Sequence, residues 1–376
     1  MIPRLITNRL QTSLKEQKVV LISGPRRSGK QTLLRTVLDQ LSEKQRWFDL
    51  SVKGERNKFS DLSESGLTER FGEAEFIVIE EAQYLDNLQE LIEYVLSGVL
   101  SSTLVISCSF RPKMDEVLME VLRLQQLEFR LYPLCFYELA QNSSLPEMEK
   151  NLEERLIFGS FPEVIESSDT KSDLLIGMIQ DVVFTDLGVN DRINKGERLI
   201  KMLQQLAFRI SEPVSYNEIG EKCDLDNETV ERYVDLLEEA GVLFRLPSFH
   251  NELRYELKKT HLIYFMDNGI RNALIRNFNP PDFRNDMDAL WKNWVIAERI
   301  KWNRMNGREA MYQFWRTHTR QTMDLLEFSG EHKHAYRISW EKKKKIKYPR
   351  QFSESYPYIA LHTLNRSTYW SFLTKK

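Results

Sequence analysis

The first third of this 376-residue chain is predicted to form an α/β fold on a parallel sheet, with helical and then α+β regions after it. Three observations predict this. Residues 24–32 read Gly-Pro-Arg-Arg-Ser-Gly-Lys-Gln-Thr, a glycine-bounded loop. A β-branched run, Val19-Val20-Leu21-Ile22, leads straight into it. A second apolar run, Phe76-Ile77-Val78-Ile79, ends in two carboxylates, Glu80 and Glu81. At this length two or three domains are expected.

The loop fits the G-x-x-x-x-G-K-[ST] pattern except at its last position. Its two glycines let backbone N–H groups curl around phosphates, and its lysine supplies charge. Gly24, Gly29 and Lys30 meet those needs, and Arg26, Arg27 and Ser28 lie on the same loop. The stretch Leu33, Leu34, Val37, Leu38, Leu41 then has helical spacing. Strand, loop and helix follow in the order a phosphate loop requires. The eighth position should offer a hydroxyl to magnesium and instead holds Gln31. Thr32 does not replace it, because one residue along a helix turns the side chain by about 100°. The nucleotide-binding set is therefore Gly24, Arg26, Arg27, Ser28, Gly29, Lys30, Gln31, Thr32 and Ser107, with ATP as the expected ligand.

Glu80 and Glu81 end a buried strand downstream of the loop. In that position the first acid serves the magnesium shell and the second activates water. Glu80 is thus a weak magnesium site and Glu81 the catalytic residue of any hydrolysis. A third buried strand, Leu104-Val105-Ile106-Ser107, follows. Ser107 and Ser109 at its end are candidates for the γ-phosphate or attacking water, or ordinary strand-end serines. Strands alternating with helices imply a parallel sheet with ligands at the strand C-termini.

A polar stretch, Gln141-Asn142-Ser143-Ser144, marks a first boundary, giving an expected domain 1–145. Residues 151–210 read as mostly helical. In 211–247, Ser215 with Glu218 predicts a capping box, and Asp224 to Asn227 a turn. A second helix runs to Ala240, stopped by Gly241, and Val242 to Leu246 reads as a wing strand. The expected second domain is a lid and winged helix over 146–254, and the third spans 255–376. The apolar face of the second helix is Val230, Tyr233, Leu236, Leu237 and Ala240. Its other positions include Glu228, Glu231, Asp235, Glu238 and Glu239 against Arg232 alone. A helix that meets phosphates should be basic, so this unit is expected to be structural or to contact protein.

The net charge of −2 supplies no global attraction to nucleic acid or anionic membranes. Cys108, Cys135 and Cys223 lie far apart, without metal or disulfide spacing, which points to a reducing compartment. No apolar run approaches the roughly 20 residues that span a bilayer. A cytoplasmic protein without membrane contact is expected.

Several stretches together resemble the prokaryotic AAA-type ATPases that carry a helical lid, a winged helix and a C-terminal nuclease-like domain of unknown function. They are Gly24 to Leu34, Glu80-Glu81-Ala82-Gln83-Tyr84-Leu85 and Leu131 to Glu138, then Gly159 to Glu163, Ile263 to Gly269 and Trp315-Arg316-Thr317. The resemblance implies an arginine finger shortly before the Leu131 segment, where this chain has Leu124-Gln125. It implies a PD-(D/E)xK nuclease-like fold from about 255, with Glu298 and Asp324 at two acid positions. Arg337 and Ser339 stand where Glu-x-Lys is expected, and an arginine there would repel a divalent ion. Nuclease activity is therefore not expected. The stretch Lys342 to Lys347, which includes the run Lys342 to Lys345, is a candidate nucleic-acid contact, though a solvated lysine face is the commoner explanation.

The leading expectation is an ATP-binding AAA-like protein with weak or absent hydrolysis, its nucleotide controlling contacts between domains, with a protein partner or with itself. The alternatives are an active Mg-dependent ATPase and a DNA-associated regulator acting through the winged helix.

Overall fold

In the computed structural model, the described residues are 2–374 apart from 60–61, 99, 111, 113, 126, 142, 187–192, 251–259 and 343–345. The expected boundary at 254/255 and most of the lysine run lie outside them. The chain forms two compact units, residues 1–133 and 134–376.

The first unit runs α1 (Thr7–Glu16), β1 (Val19–Ser23), α2 (Lys30–Leu38), β2 (Gln45–Asp49), α3 (Lys53–Asn57) and α4 (Glu64–Phe71). It continues through β3 (Phe76–Glu80), α5 (Leu88–Leu96), β4 (Thr103–Cys108), α6 (Glu116–Leu124) and β5 (Glu128–Arg130). The strands form one parallel sheet in the order β2-β3-β4-β1-β5. Parallel neighbours need crossover connections, which the helices provide. The inner strands β1, β3 and β4 are buried nearly throughout, because helices cover both faces, so they read as continuous apolar runs. These are the three strands that the hydrophobic runs predict. The edge strands carry weaker patterns: β2 has Phe48 as its one buried residue and β5 has three residues.

The second unit begins with α7 (Phe136–Ala140), α8 (Leu145–Phe158), α9 (Pro162–Glu166), α10 (Lys171–Gln180) and α11 (Ile193–Phe208). Next come α12 (Tyr216–Cys223), α13 (Asn227–Glu239), and an antiparallel pair, β6 (Leu243–Pro247) with β7 (His261–Phe265). Then follow α14 (Asn268–Leu274), α15 (Met287–Met305), β8 (Met311–Arg316), β9 (Thr322–Ser329) and β10 (His332–Ile338). The last elements are α16 (Arg350–Ser355), β11 (Ala360–Leu364) and α17 (Tyr369–Thr374). Strands β8 to β11 form a four-stranded sheet in the order β11-β10-β9-β8, with β10 and β11 parallel. On α13 the buried side chains are Val230, Tyr233, Val234 and Leu237, while Glu228, Glu231 and Arg232 are exposed.

The expected capping box at Ser215 forms only in half. Ser215 Oγ accepts from the Glu218 backbone N–H, but the Glu218 carboxylate turns to Arg209, accepting from Nη1 at 2.7 Å and from Nη2. A bidentate guanidinium outcompetes one neutral N–H. Two stretches of the family resemblance make a buried knot in this unit. Asp267 accepts from the backbone N–H groups of Ser160 (2.7 Å) and Gly269 (2.8 Å). Asn268 Nδ2 donates to Leu156 O and Leu290 O. Those residues hold helices together rather than lining a site.

Candidate functional site

The glycine loop joins the carboxyl end of β1 to α2, so it lies where parallel sheets hold ligands. Its first turn depends on the absence of a side chain: a Cβ at Gly24 would come within 1.9 Å of Leu131 O. Gly29 caps α2 in the left-handed region, φ 94°, which brings the first N–H groups of the helix toward the loop's interior. Arg27 has φ 61° and Glu81 φ 53°, unusual for residues with a side chain and each costing about 1 kcal/mol or more. Such strain concentrates at binding sites.

Lys30 is buried, and its ammonium folds back onto the loop, donating to Gly24 O at 2.7 Å, Pro25 O at 3.1 Å and Ser109 Oγ at 3.3 Å. Ser28 is fully buried, and its hydroxyl finds no hydrogen-bond partner among the described residues, so it is available to a ligand oxygen. Arg4 braces the loop from behind, donating to Ser28 O at 2.8 Å and Tyr132 O at 2.6 Å. Arg4 gives no local signal in the sequence, because these contacts span 24 and 128 residues. Arg27, Gln31 and Thr32 are exposed.

The two acids have different surroundings. Gln31 Nε2 donates to Glu80 Oε2 at 3.0 Å, so the residue that replaces the metal-binding hydroxyl is bonded to the acid expected beside the metal. Burial, and then the charge of Asp49 across the β2–β3 register, raise the Glu80 pKa above its usual range. Glu81 is held by three neighbours. Arg26 pairs with it at 2.9 Å, Gln83 Nε2 donates at 2.6 Å, and Ser109 Oγ donates at 2.8 Å. Ser107 is buried inside β4, in register with Ile22 and Glu80. The serine that touches both Lys30 and Glu81 is Ser109, one residue beyond the strand. Loop, acids and Ser109 thus meet at the carboxyl ends of β1, β3 and β4. The described residues hold no cluster of three or more His, Cys, Asp or Glu fit for a metal. A magnesium ion would rest on Glu80 and on the phosphates themselves, since Gln31 offers an amide where a hydroxyl is needed.

The raised Glu80 pKa has a testable sign. A glutamate whose folded pKa lies above its ordinary value near 4.5 favours the fold below that value and loses this contribution as pH rises through the folded pKa. Glu80→Gln keeps an acceptor for Gln31 and removes the charge. The variant is expected to melt about 1–3 °C above wild type at pH 7.5, allowing for solvent screening, with the gap closing toward pH 4. Melting curves across that range check it; an equal or lower Tm at pH 7.5 contradicts it.

In the second unit, the acid positions implied by the resemblance are occupied by protein partners. Glu298 is buried on α15, paired with Lys301 and accepting from the Phe136 N–H. Asp324 accepts from the Ile338 N–H at 2.8 Å and pairs with Arg337 and Lys292, both at 3.2 Å. Two cations around one carboxylate exclude a divalent ion there.

Comparison with known proteins agrees with the first unit's geometry. Residues 16–140 match a family described as an AAA domain. The first unit is thus similar to that family over most of its length. Residues 149–281 match a domain of unknown function (DUF8612). An uncharacterized protein of Haemophilus influenzae is 23% identical over 278 residues, covering 68% of this chain and 69% of that protein. An uncharacterized protein of Mycobacterium tuberculosis is 24% identical over 331 residues, covering 86% and 70%. Among solved structures, a Walker-type ATPase of Pyrococcus abyssi is similar at 14% identity and TM-score 0.48, covering 73% of this chain and 96% of that one. A mutant RuvB of Thermotoga maritima is similar at 16% identity and TM-score 0.29, covering 65% and 87%. No helix among the described residues is long and apolar enough to cross a membrane.

Proposed function

We propose that this chain binds ATP in the AAA domain, with little dependence on magnesium and with slow or absent hydrolysis. Nucleotide occupancy then governs contacts between its domains, with a protein partner or with a second copy. The observation that carries this reading is the Gln31–Glu80 hydrogen bond at 3.0 Å. It joins, through a neutral amide, the two positions that would share a metal ion. Binding rests on other parts, namely the loop N–H groups, the α2 N-terminus and Lys30, and those remain in place.

The Mg-dependent ATPase reading is favoured by one observation. Glu81 is oriented by Ser109, Gln83 and Arg26, as a water-activating carboxylate should be. The DNA reading has less support, because the exposed face of α13 carries Glu228 and Glu231. The pairing of Asp324 with Arg337 and Lys292 argues against nuclease chemistry.

Binding of a fluorescent ATP analogue with and without Mg²⁺, together with phosphate release from wild type and Glu81→Gln, tests the proposal. The expected affinity changes by less than about threefold with Mg²⁺, with release at background in both proteins. Mg-dependent release that disappears in Glu81→Gln would establish the ATPase reading instead.

A further inference from the structure

A cavity of about 870 Å³ in the second unit opens against the β9–β10–β11 face and is bordered by α15 and α17. Strand periodicity builds its floor: His332, His334 and Tyr336 alternate along β10 and share one face. Register sets His334 opposite Glu327 and His332 opposite Ser329 on β9, with Tyr336 opposite His362 on β11. His334 Nδ1 and His362 Nε2 lie 3.0 Å apart, close enough to share one proton.

The charges in the cavity divide into two groups. Glu327 is fully engaged: Arg299 Nε donates to its two oxygens at 3.0 and 3.1 Å, and Asn303 Nδ2 donates at 2.7 Å. That pair is internally neutral. Arg308 is exposed, lies over the Trp302 ring at 4.6 Å, and has no carboxylate partner among the described residues. The Tyr336 hydroxyl, on a side chain otherwise buried, also makes no hydrogen bond among them. The cavity therefore offers one unneutralised guanidinium, a phenol and imidazoles, without an uncompensated carboxylate.

We propose that this cavity binds an organic phosphate with an aromatic ring, of the nucleoside monophosphate kind, at a site separate from the glycine loop. The planar guanidinium of Arg308 matches phosphate oxygens bidentately, and the imidazoles and Tyr336 supply further donors. The volume exceeds what a bare phosphate needs and lies within the roughly 300–1,000 Å³ of small-molecule sites. Tyr336 and His362 stack with centroids 5.1 Å apart, and Phe372 lies 4.9 Å from Tyr336, so the wall beside the donors is aromatic. Burial keeps His334 and His362 below the usual histidine range. On His334, Glu327 acts in the opposite direction, while His332 and Arg299 add to the lowering. The site is thus ready to gain positive charge as pH falls or as an anion arrives.

The test uses full-length Lys30→Ala protein, so that the glycine loop does not contribute. Calorimetric titrations with AMP, adenosine and inorganic phosphate are run at pH 8 and 6.5. AMP is expected to bind, about threefold or more tighter at pH 6.5, and adenosine and phosphate each at least tenfold more weakly. Adding Arg308→Ala, an exposed position that leaves Tm unchanged, is expected to weaken AMP about tenfold or more. A His334→Gln/His362→Gln pair is expected to remove the pH dependence. Three results overturn the proposal: no AMP binding by folded Lys30→Ala protein, equal binding after Arg308→Ala, or adenosine or phosphate binding as tightly as AMP. Because glycine-loop binding is read in wild type, its outcome and this one remain separable.

Discussion

Lys30→Ala is expected to weaken ATP binding about 100-fold while leaving the fold in place. The ammonium is buried and donates to the carbonyls of Gly24 and Pro25 and to the Ser109 hydroxyl. These oxygens hold it weakly compared with phosphate, because they are neutral acceptors and the phosphates carry formal charge. Nucleotide entry therefore moves the ammonium from the loop onto the ligand. Deleting it removes charge-assisted hydrogen bonds worth about 1.5–3 kcal/mol, which corresponds to roughly 10- to 150-fold in affinity. The loop itself is held by Arg4 on Ser28 O and by the close fit of Gly24 beside Leu131, so Tm should fall only slightly. Titration of a fluorescent ATP analogue, paired with a melting curve, checks this. Affinity equal to wild type in a folded variant would show that nucleotide does not use this loop.

The sequence makes the inner part of this site legible and leaves its outer part hidden, for physical reasons. Strands β1, β3 and β4 are covered on both faces, so each is a continuous apolar run, and the loop and acids are joined to their ends. Strand β2 is an edge strand with Arg46 and Asp49 exposed, and its polarity hides it. Yet β2 sets Asp49 beside Glu80, and with it the electrostatics of that carboxylate. Gln31 is odd in the motif at first reading, but only three dimensions show that it spends its amide on Glu80. Likewise, Ser107 and Ser109 are indistinguishable by position in a strand-end sequence. Pairing buries the first within β4, while the second clears the strand and touches Lys30 and Glu81. In the second unit, the Asp267-Asn268-Gly269 segment reads as a signature, and the fold uses it as a buried structural knot.

Gln31→Thr is expected to make nucleotide binding depend on magnesium without making turnover fast. The substitution removes the amide from Glu80 and sets a hydroxyl in the first turn of α2, where a hydrated Mg²⁺ held by β- and γ-phosphates can reach both. Relieved of its hydrogen bond, and already disfavoured as an anion by burial and Asp49, Glu80 gains most from a nearby divalent charge. Affinity for ATP is expected to rise about tenfold or more on adding Mg²⁺, against little change in wild type. Turnover needs more than the metal. An arginine finger is worth about 10³–10⁵ in rate, and the position that the resemblance assigns to it is Leu124-Gln125, with Leu124 74% exposed at the end of α6. Arg123 beside it is paired with Glu120 at 2.8 Å. Phosphate release by Gln31→Thr should therefore stay well under about 1 s⁻¹ even with Mg²⁺ saturating. Two measurements separate the effects: binding titrations with Mg²⁺ or EDTA, and single-turnover phosphate release. No gain of Mg²⁺ dependence would mean that Gln31 is not what closes the metal position. Fast Mg-dependent release from Gln31→Thr alone would mean that the Gln31 amide, rather than Leu124-Gln125 at the position the resemblance assigns to a finger, limits hydrolysis.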